Sequence, residues 1–233
     1  MMRLPPAASV SIRAPIRSAL VGAVLGGAAA AAPVSPLPAR AADGFVIGDS
    51  IAASLAQTVG LKFIAHHSVS LRKAAPKTIS RQFARIPKGA VVLMGLGLND
   101  AAIPVKGLRA DIEWVIAGAL KTGEKIVWIG PPCVLRRWDI RAREMDDYLR
   151  QRLASTTIQY VSLRDPQICQ RAMRTGDGEH FTTAGNRYVW EKIQRDSTYA
   201  ATIELPKRPA PVATKAKARP KRQAQEKGST EKD

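Results

Sequence analysis

The apolar residues of this chain fall in short unbroken runs, each followed by a stretch with helical spacing. Residues 44–48 (GFVIG) form the first run, and residues 51–59 then repeat at helical intervals. Residues 61–65 (LKFIA) form a second run, and residues 78–83 can close a helical turn. Residues 90–97 (AVVLMGLG) are apolar throughout. Residues 108–122 then have the alternation of an amphipathic helix, stopped by Gly123. Residues 125–129 (KIVWI) end at Gly130-Pro131-Pro132, residues 139–154 form a second long helix, and residues 158–162 (IQYVS) form a last short run. A final helix over 183–194 begins at a threonine cap, Thr182 or Thr183.

Strands that are apolar on both faces, alternating with helices, predict an α/β fold. The expected form is a three-layer α/β/α sandwich around a mainly parallel five-stranded sheet, of flavodoxin-like type. Such sheets place their chemistry in the loops beyond the carboxyl ends of the strands. A catalytic residue should therefore follow a strand directly.

Composition changes the picture at the two ends. The chain has 233 residues, 36 Lys and Arg against 19 Asp and Glu, and a net charge of +17. Residues 1–41 contribute +4 and residues 206–233 contribute +6, so more than half of the excess lies outside the body, 42–205. Residues 1–41 read as a signal peptide: arginines first, an uncharged run rich in Ala and Gly over 18–32, and Ala39-Arg40-Ala41 as the cleavage site. The mature chain is then expected to be periplasmic or secreted, without a transmembrane segment. Residues 206–233, rich in Pro, Ala, Lys and Arg, have too little apolar surface to order themselves and read as a disordered basic tail. The tail either touches anionic envelope components or simply keeps the chain soluble. No nucleic-acid recognition motif accompanies the charge, so nucleic acid is not an expected partner.

Three short motifs lie in loops of the kind expected to carry chemistry. Gly48-Asp49-Ser50 lies between the first strand and the first helix, where a serine hydroxyl can enter the crevice beside the amides of the first helical turn. The same residues also suit an ordinary helix cap. Gly97-Leu98-Asn99-Asp100 follows the third strand. Gly97 allows a tight turn, and the Asn99 amide can hold an oxyanion. Asp177-Gly178-Glu179-His180 precedes the last helix. An acid three residues before a histidine can accept its ring proton and leave the other nitrogen as a general base.

Together, and in this order, the motifs resemble those of the SGNH (GDSL) hydrolases, a family of serine esterases and lipases. The resemblance runs from about residue 45 to 193. It implies Ser50 as nucleophile, His180 as base and Asp177 as orienting acid. It implies an oxyanion hole built from Ser50, Leu71, Gly97 and Asn99, and neither a metal nor an organic cofactor. Two positions depart from the family's pattern. Ile51 stands for its leucine. Leu71, in Ser68-Val69-Ser70-Leu71, stands where a glycine amide is usual, so its N–H is kept but its side chain needs room.

Other residues are read more plainly. His66 and His67 follow the second strand and could line the site, with a surface or structural role the favoured reading. Cys133 and Cys169 follow the fourth and fifth strands, and in an oxidising compartment they are candidates for a disulfide pinning the rim loops. Arg136, Arg137 and Trp138 could face an anionic or sugar substrate, or Trp138 could pack on the body. Trp114, Trp128 and Trp190 are expected in the core, and Arg141, Arg143, Arg150 and Arg152 on a solvated helix face. The function expected is an exported serine esterase removing O-acyl, above all O-acetyl, groups from an envelope or extracellular polysaccharide. The competing readings are a lipase or lysophospholipase of the same fold and a non-catalytic envelope-binding protein that keeps it.

Overall fold

The computed structural model describes residues 42–206 apart from positions 67, 73 and 74. The expected signal segment, the expected tail beyond its first residue, and His67 therefore lie outside the described residues. Five strands, β1 (Gly44–Gly48), β2 (Lys62–Ala65), β3 (Val91–Gly95), β4 (Lys125–Ile129) and β5 (Gln159–Val161), pair in the order β2-β1-β3-β4-β5. Every pairing is parallel. The helices are α1 (Ser50–Val59), a short α2 (Ser80–Phe83), α3 (Arg109–Lys121), α4 (Asp139–Leu153) and α5 (Thr183–Asp196).

The strands are apolar at consecutive positions because both faces of the sheet are covered. Phe45, Ile47, Val92, Met94, Ile126 and Trp128 face one way, against Ile112 and Ile116 of α3 and Met145 and Leu149 of α4. Val46, Val91, Leu93, Val127 and Ile129 face the other way, against Leu55 of α1 and Val189, Trp190 and Ile193 of α5. β2 is an edge strand, and its Lys62 and Phe63 are exposed.

Local chemistry sets the helix ends. The Asp49 carboxylate accepts from the N–H groups of Ile51 and Ala52 to start α1, and Gly60 ends it at φ 82°. The Thr182 hydroxyl accepts from Gly185 N–H to start α5. Trp114, expected in the core, lies instead at 40% exposure on the outer side of α3. That helix buries Ile112, Val115, Ile116 and Ala119, and position 114 points away from all four. Arg152 reaches across from α4 to pair with Glu113 on α3, so it ties two helices together as well as facing solvent. Among the described residues no helix is long and apolar enough to cross a membrane.

Candidate active site

The crevice lies where β1, β3 and β4 end. Gly48 turns the chain out of β1 at φ 125°, and a Cβ there would sit 2.0 Å from the Gly95 carbonyl oxygen. Only glycine fits. The turn lets Asp49 N–H donate to that same oxygen at 2.9 Å and brings Ser50 to the first position of α1. Ser50 is largely buried, and its Oγ lies 2.9 Å from Nε2 of His180. His180 Nδ1 lies 2.7 Å from Oδ2 of Asp177. The three side chains thus form one continuous hydrogen-bonded line, although Ser50 and His180 are 130 residues apart.

The loop carrying His180 organises itself. Thr175 N–H donates to the His180 carbonyl at 2.9 Å, and Gly178 N–H donates to the Thr175 carbonyl at 3.0 Å. Asp177 Oδ1 accepts from the N–H groups of Glu179 and His180 and from the Thr175 hydroxyl. Its slight burial pushes the Asp177 carboxyl up. The two backbone N–H groups, the His180 ring and the Thr175 hydroxyl outweigh that and hold it well below the usual carboxylate range. Asp177 is therefore ionised at neutral pH and positioned to hold the Nδ1–H tautomer of His180.

Arg174 supports this loop from behind. It is 5% exposed, its guanidinium lies 3.9 Å from the Phe181 ring centroid, and Nη1 donates to the Glu179 carbonyl. Burial pulls its pKa down to about 10, against the attraction of Asp139 and Asp177. Its Nη2 lies 3.6 Å from Sγ of Cys133, which is joined to Cys169 in a disulfide with a Cα–Cα separation of 5.5 Å. The two cysteines thus pin the loops after β4 and β5, and Leu135 N–H links the first of these to the Gly178 carbonyl. Arg136 pairs with Glu179 at 3.2 Å, and Trp138 packs, half-buried, against the second core.

The other side of the crevice departs from expectation. Gly97 makes the turn after β3 at φ 115°, and Asn99 is exposed at the mouth. Asn99 Nδ2 donates to the Val69 carbonyl at 2.8 Å. Leu71 N–H, expected in the oxyanion hole, donates instead to Oδ2 of Asp100 at 2.6 Å. The Leu71 side chain is fully buried among Val69, Ile79, Met94 and other residues of the first core. A leucine is accommodated because the loop turns it inward and Asp100 takes up its amide. Asp100 also accepts from Arg72 N–H at 3.3 Å, and burial raises its carboxyl pKa. Ser50 N–H has no acceptor among the described residues.

Gln82 and Asp100 have structural work at the site that their residue types do not reveal in the sequence. Gln82 is 1% exposed, and its amide pairs with both polar groups of Gly48: Gly48 N–H donates to Oε1 at 3.1 Å, and Nε2 donates to the Gly48 carbonyl at 3.3 Å. No spacing rule points to a glutamine on a four-residue helix. Asp100 stands next to Asn99, and its place in a turn conceals its bonds to the neighbouring loop.

No family model and no curated protein matches this chain. Solved structures do match. A lipase/acylhydrolase from Enterococcus faecalis superposes with a TM-score of 0.53 at 17% identity, over 72% of this chain and 100% of its own. A member of the lipolytic G-D-S-L family from Veillonella parvula gives 0.51 at 14%, over 65% and 96%. The psychrotrophic esterase EstA of a Pseudoalteromonas species gives 0.52 at 12%, over 66% and 96%. At such identities the likeness is one of fold: this chain has the α/β fold of the SGNH (GDSL) hydrolases.

Proposed function

We propose that this protein is a serine ester hydrolase in which Ser50, His180 and Asp177 act as nucleophile, general base and orienting acid. The observation that carries the reading is the unbroken line from Ser50 Oγ through the His180 ring to the Asp177 carboxylate, at 2.9 and 2.7 Å. His180 Nε2 takes the hydroxyl proton as Oγ attacks the ester carbonyl carbon. The negative oxygen is held by Ser50 N–H and by the Asn99 amide, which stands at the mouth of the crevice and also donates to the Val69 carbonyl. His180 returns its proton to the leaving alcohol. Water then attacks the acyl-enzyme, losing a proton to His180, and the acid departs as Ser50 Oγ is reprotonated. Asp177 stays ionised throughout.

The substrate read most naturally is a small O-acyl ester, above all O-acetyl, on an envelope or extracellular polysaccharide. The leader-like residues 1–41 and the disulfide both suit an exported enzyme. A second reading, a binding protein that keeps the fold, is supported by the engagement of Leu71 N–H with Asp100. Release of p-nitrophenol from p-nitrophenyl esters, acetyl to octanoyl, tests both. Turnover of the acetyl ester that disappears in Ser50→Ala supports the esterase. A preference for octanoyl points to a lipase, and no turnover at any length by folded protein selects the binding protein.

A further inference from the structure

The positive charge of the body has a single source. Between Ser50 and Asn99 there are seven Lys and Arg and no Asp or Glu, while the rest of 42–205 balances at 16 basic and 16 acidic residues. This segment carries β2, the loop after it and α2, and it forms much of the wall of a cleft of about 660 Å³. Arg81 and Arg85 line the cleft with His66, Ser68 and Thr78, and none of the described residues lining it is a carboxylate. Both arginines are exposed, and among the described residues neither guanidinium has a hydrogen-bond or ion-pair partner. Elsewhere Arg141, Arg150, Arg152 and Arg164 each meet an acid, whereas Arg171 and Arg187, like the cleft arginines, have no ion pair among the described residues.

The cleft also adjoins the proposed nucleophile. Gln82 lines it and holds both polar groups of Gly48, two residues before Ser50. Val69 lines it and accepts from Asn99. An occupant of the cleft therefore lies against the wall that shapes the Ser50 turn. Two like charges four residues apart repel each other, and an anion relieves that repulsion. A guanidinium fork fits a carboxylate in two parallel hydrogen bonds. The half-buried Ile64 side chain suits the face of a sugar ring, and the hydroxyls and His66 suit its oxygens.

We propose that the cleft beside the Ser50 turn, lined by Arg81 and Arg85, binds a carboxylate-bearing sugar, so that the ester this enzyme cleaves is carried by an acidic polysaccharide. The inference rests on the esterase reading for its substrate, but the binding it describes does not require turnover. A concave site with hydroxyl donors favours a glycan over an anionic membrane, which meets a protein across a broad surface.

The test is calorimetric titration of the full chain carrying Ser50→Ala, at low salt, with hexagalacturonate, neutral maltohexaose and phosphatidylglycerol vesicles as probes. Hexagalacturonate is expected to bind and maltohexaose to bind far more weakly. Adding Arg81→Gln and Arg85→Gln should weaken hexagalacturonate by about tenfold or more, the scale of losing two charge-assisted contacts. Arg171→Gln with Arg187→Gln removes the same charge from exposed positions elsewhere and should bind as the parent does. Equal weakening in both double variants, no binding of hexagalacturonate, or binding of vesicles alone would each overturn the proposal. Because p-nitrophenyl acetate turnover is measured separately on the Ser50 protein, failure of the cleft and failure of the esterase remain distinguishable.

Discussion

The two sides of the crevice around Ser50 are built by different means. The His180 side is local: the bonds that shape it run almost entirely within residues 173–182, and its acid and base lie three residues apart. The Leu71–Asn99 side is assembled from loops about thirty residues apart, joined through Asp100 and Val69. A short loop closed by its own backbone loses little entropy in placing its side chains, and it needs few outside partners. The side made from two loops depends on a buried carboxylate, and that carboxylate takes an N–H that could otherwise face substrate. The acid–base chemistry and the charge stabilisation proposed for this site are therefore separable by mutation.

The largest effect should come from the local side. His180→Ala removes the group that both accepts the Ser50 proton and protonates the leaving alcohol. Loss in kcat/KM for p-nitrophenyl acetate of about 10³-fold or more is expected, with KM little changed. Asp177→Asn should be nearly as severe, because an amide can hold the wrong ring tautomer. If either variant retained most of its activity while circular dichroism showed a native fold, the line from Ser50 to Asp177 would not be the catalytic one.

Asn99→Ala probes the other side. Removing one oxyanion donor costs about 10²- to 10³-fold in kcat. With Leu71 N–H committed to Asp100, fewer donors remain to compensate, so the upper part of that range is expected. A loss below about fivefold would mean that the oxyanion is held elsewhere. Asp100→Ala should act on stability first. It leaves the N–H groups of Leu71 and Arg72 without their acceptor, at about 1–3 kcal/mol for each that stays buried. A fall in Tm of several degrees follows for a domain of this size. An unchanged Tm would show that the loop does not depend on Asp100.

How far the sequence discloses this arrangement follows the same division. The strand order could be anticipated only in outline, but the runs at 44–48 and 125–129 coincide with β1 and β4 because strands covered on both faces are apolar along their buried length, with Lys125 at the exposed start of β4. That Ser50, Asp177 and His180 come together could be anticipated because Ser50 follows a strand and the other two share one short loop. Leu71 misleads. Its position matches a pattern, but where its N–H points is decided by Asp100, 29 residues away. Gln82 and Arg174 leave no signal, since their roles come from tertiary burial alone: one pairs with Gly48, the other stacks on Phe181. Trp114 shows the remaining limit. A large aromatic on an amphipathic helix suggests burial, yet a rotation of some 200° from Ile112 turns it to solvent.

The last effect is read as a slope against pH and concerns a residue beside both halves. Asp49 is almost wholly buried, and that burial pushes its carboxyl up to about 7, against the pull of the Ile51 and Ala52 N–H groups and of His180. Its unfolded value is 3.8. Below pH 4 the group is protonated in both states and costs nothing. Between pH 4 and 7 the folded chain holds a proton that the unfolded chain has released, so stability falls as pH rises, by up to about 1.4 kcal/mol per pH unit. Above pH 7 the loss levels off. Asp177, held below its ordinary value, acts in the opposite sense and in a lower window: its contribution is present above pH 4 and is lost as the medium becomes more acidic. Asp49→Asn keeps a carbonyl oxygen to cap α1 and removes the charge. Thermal unfolding of the two proteins between pH 5 and 8 should give a shallower slope for the variant and, at pH 8, a higher Tm. Parallel curves would mean that Asp49 is ionised in the folded chain well below neutrality, with water reaching it beside Ser50.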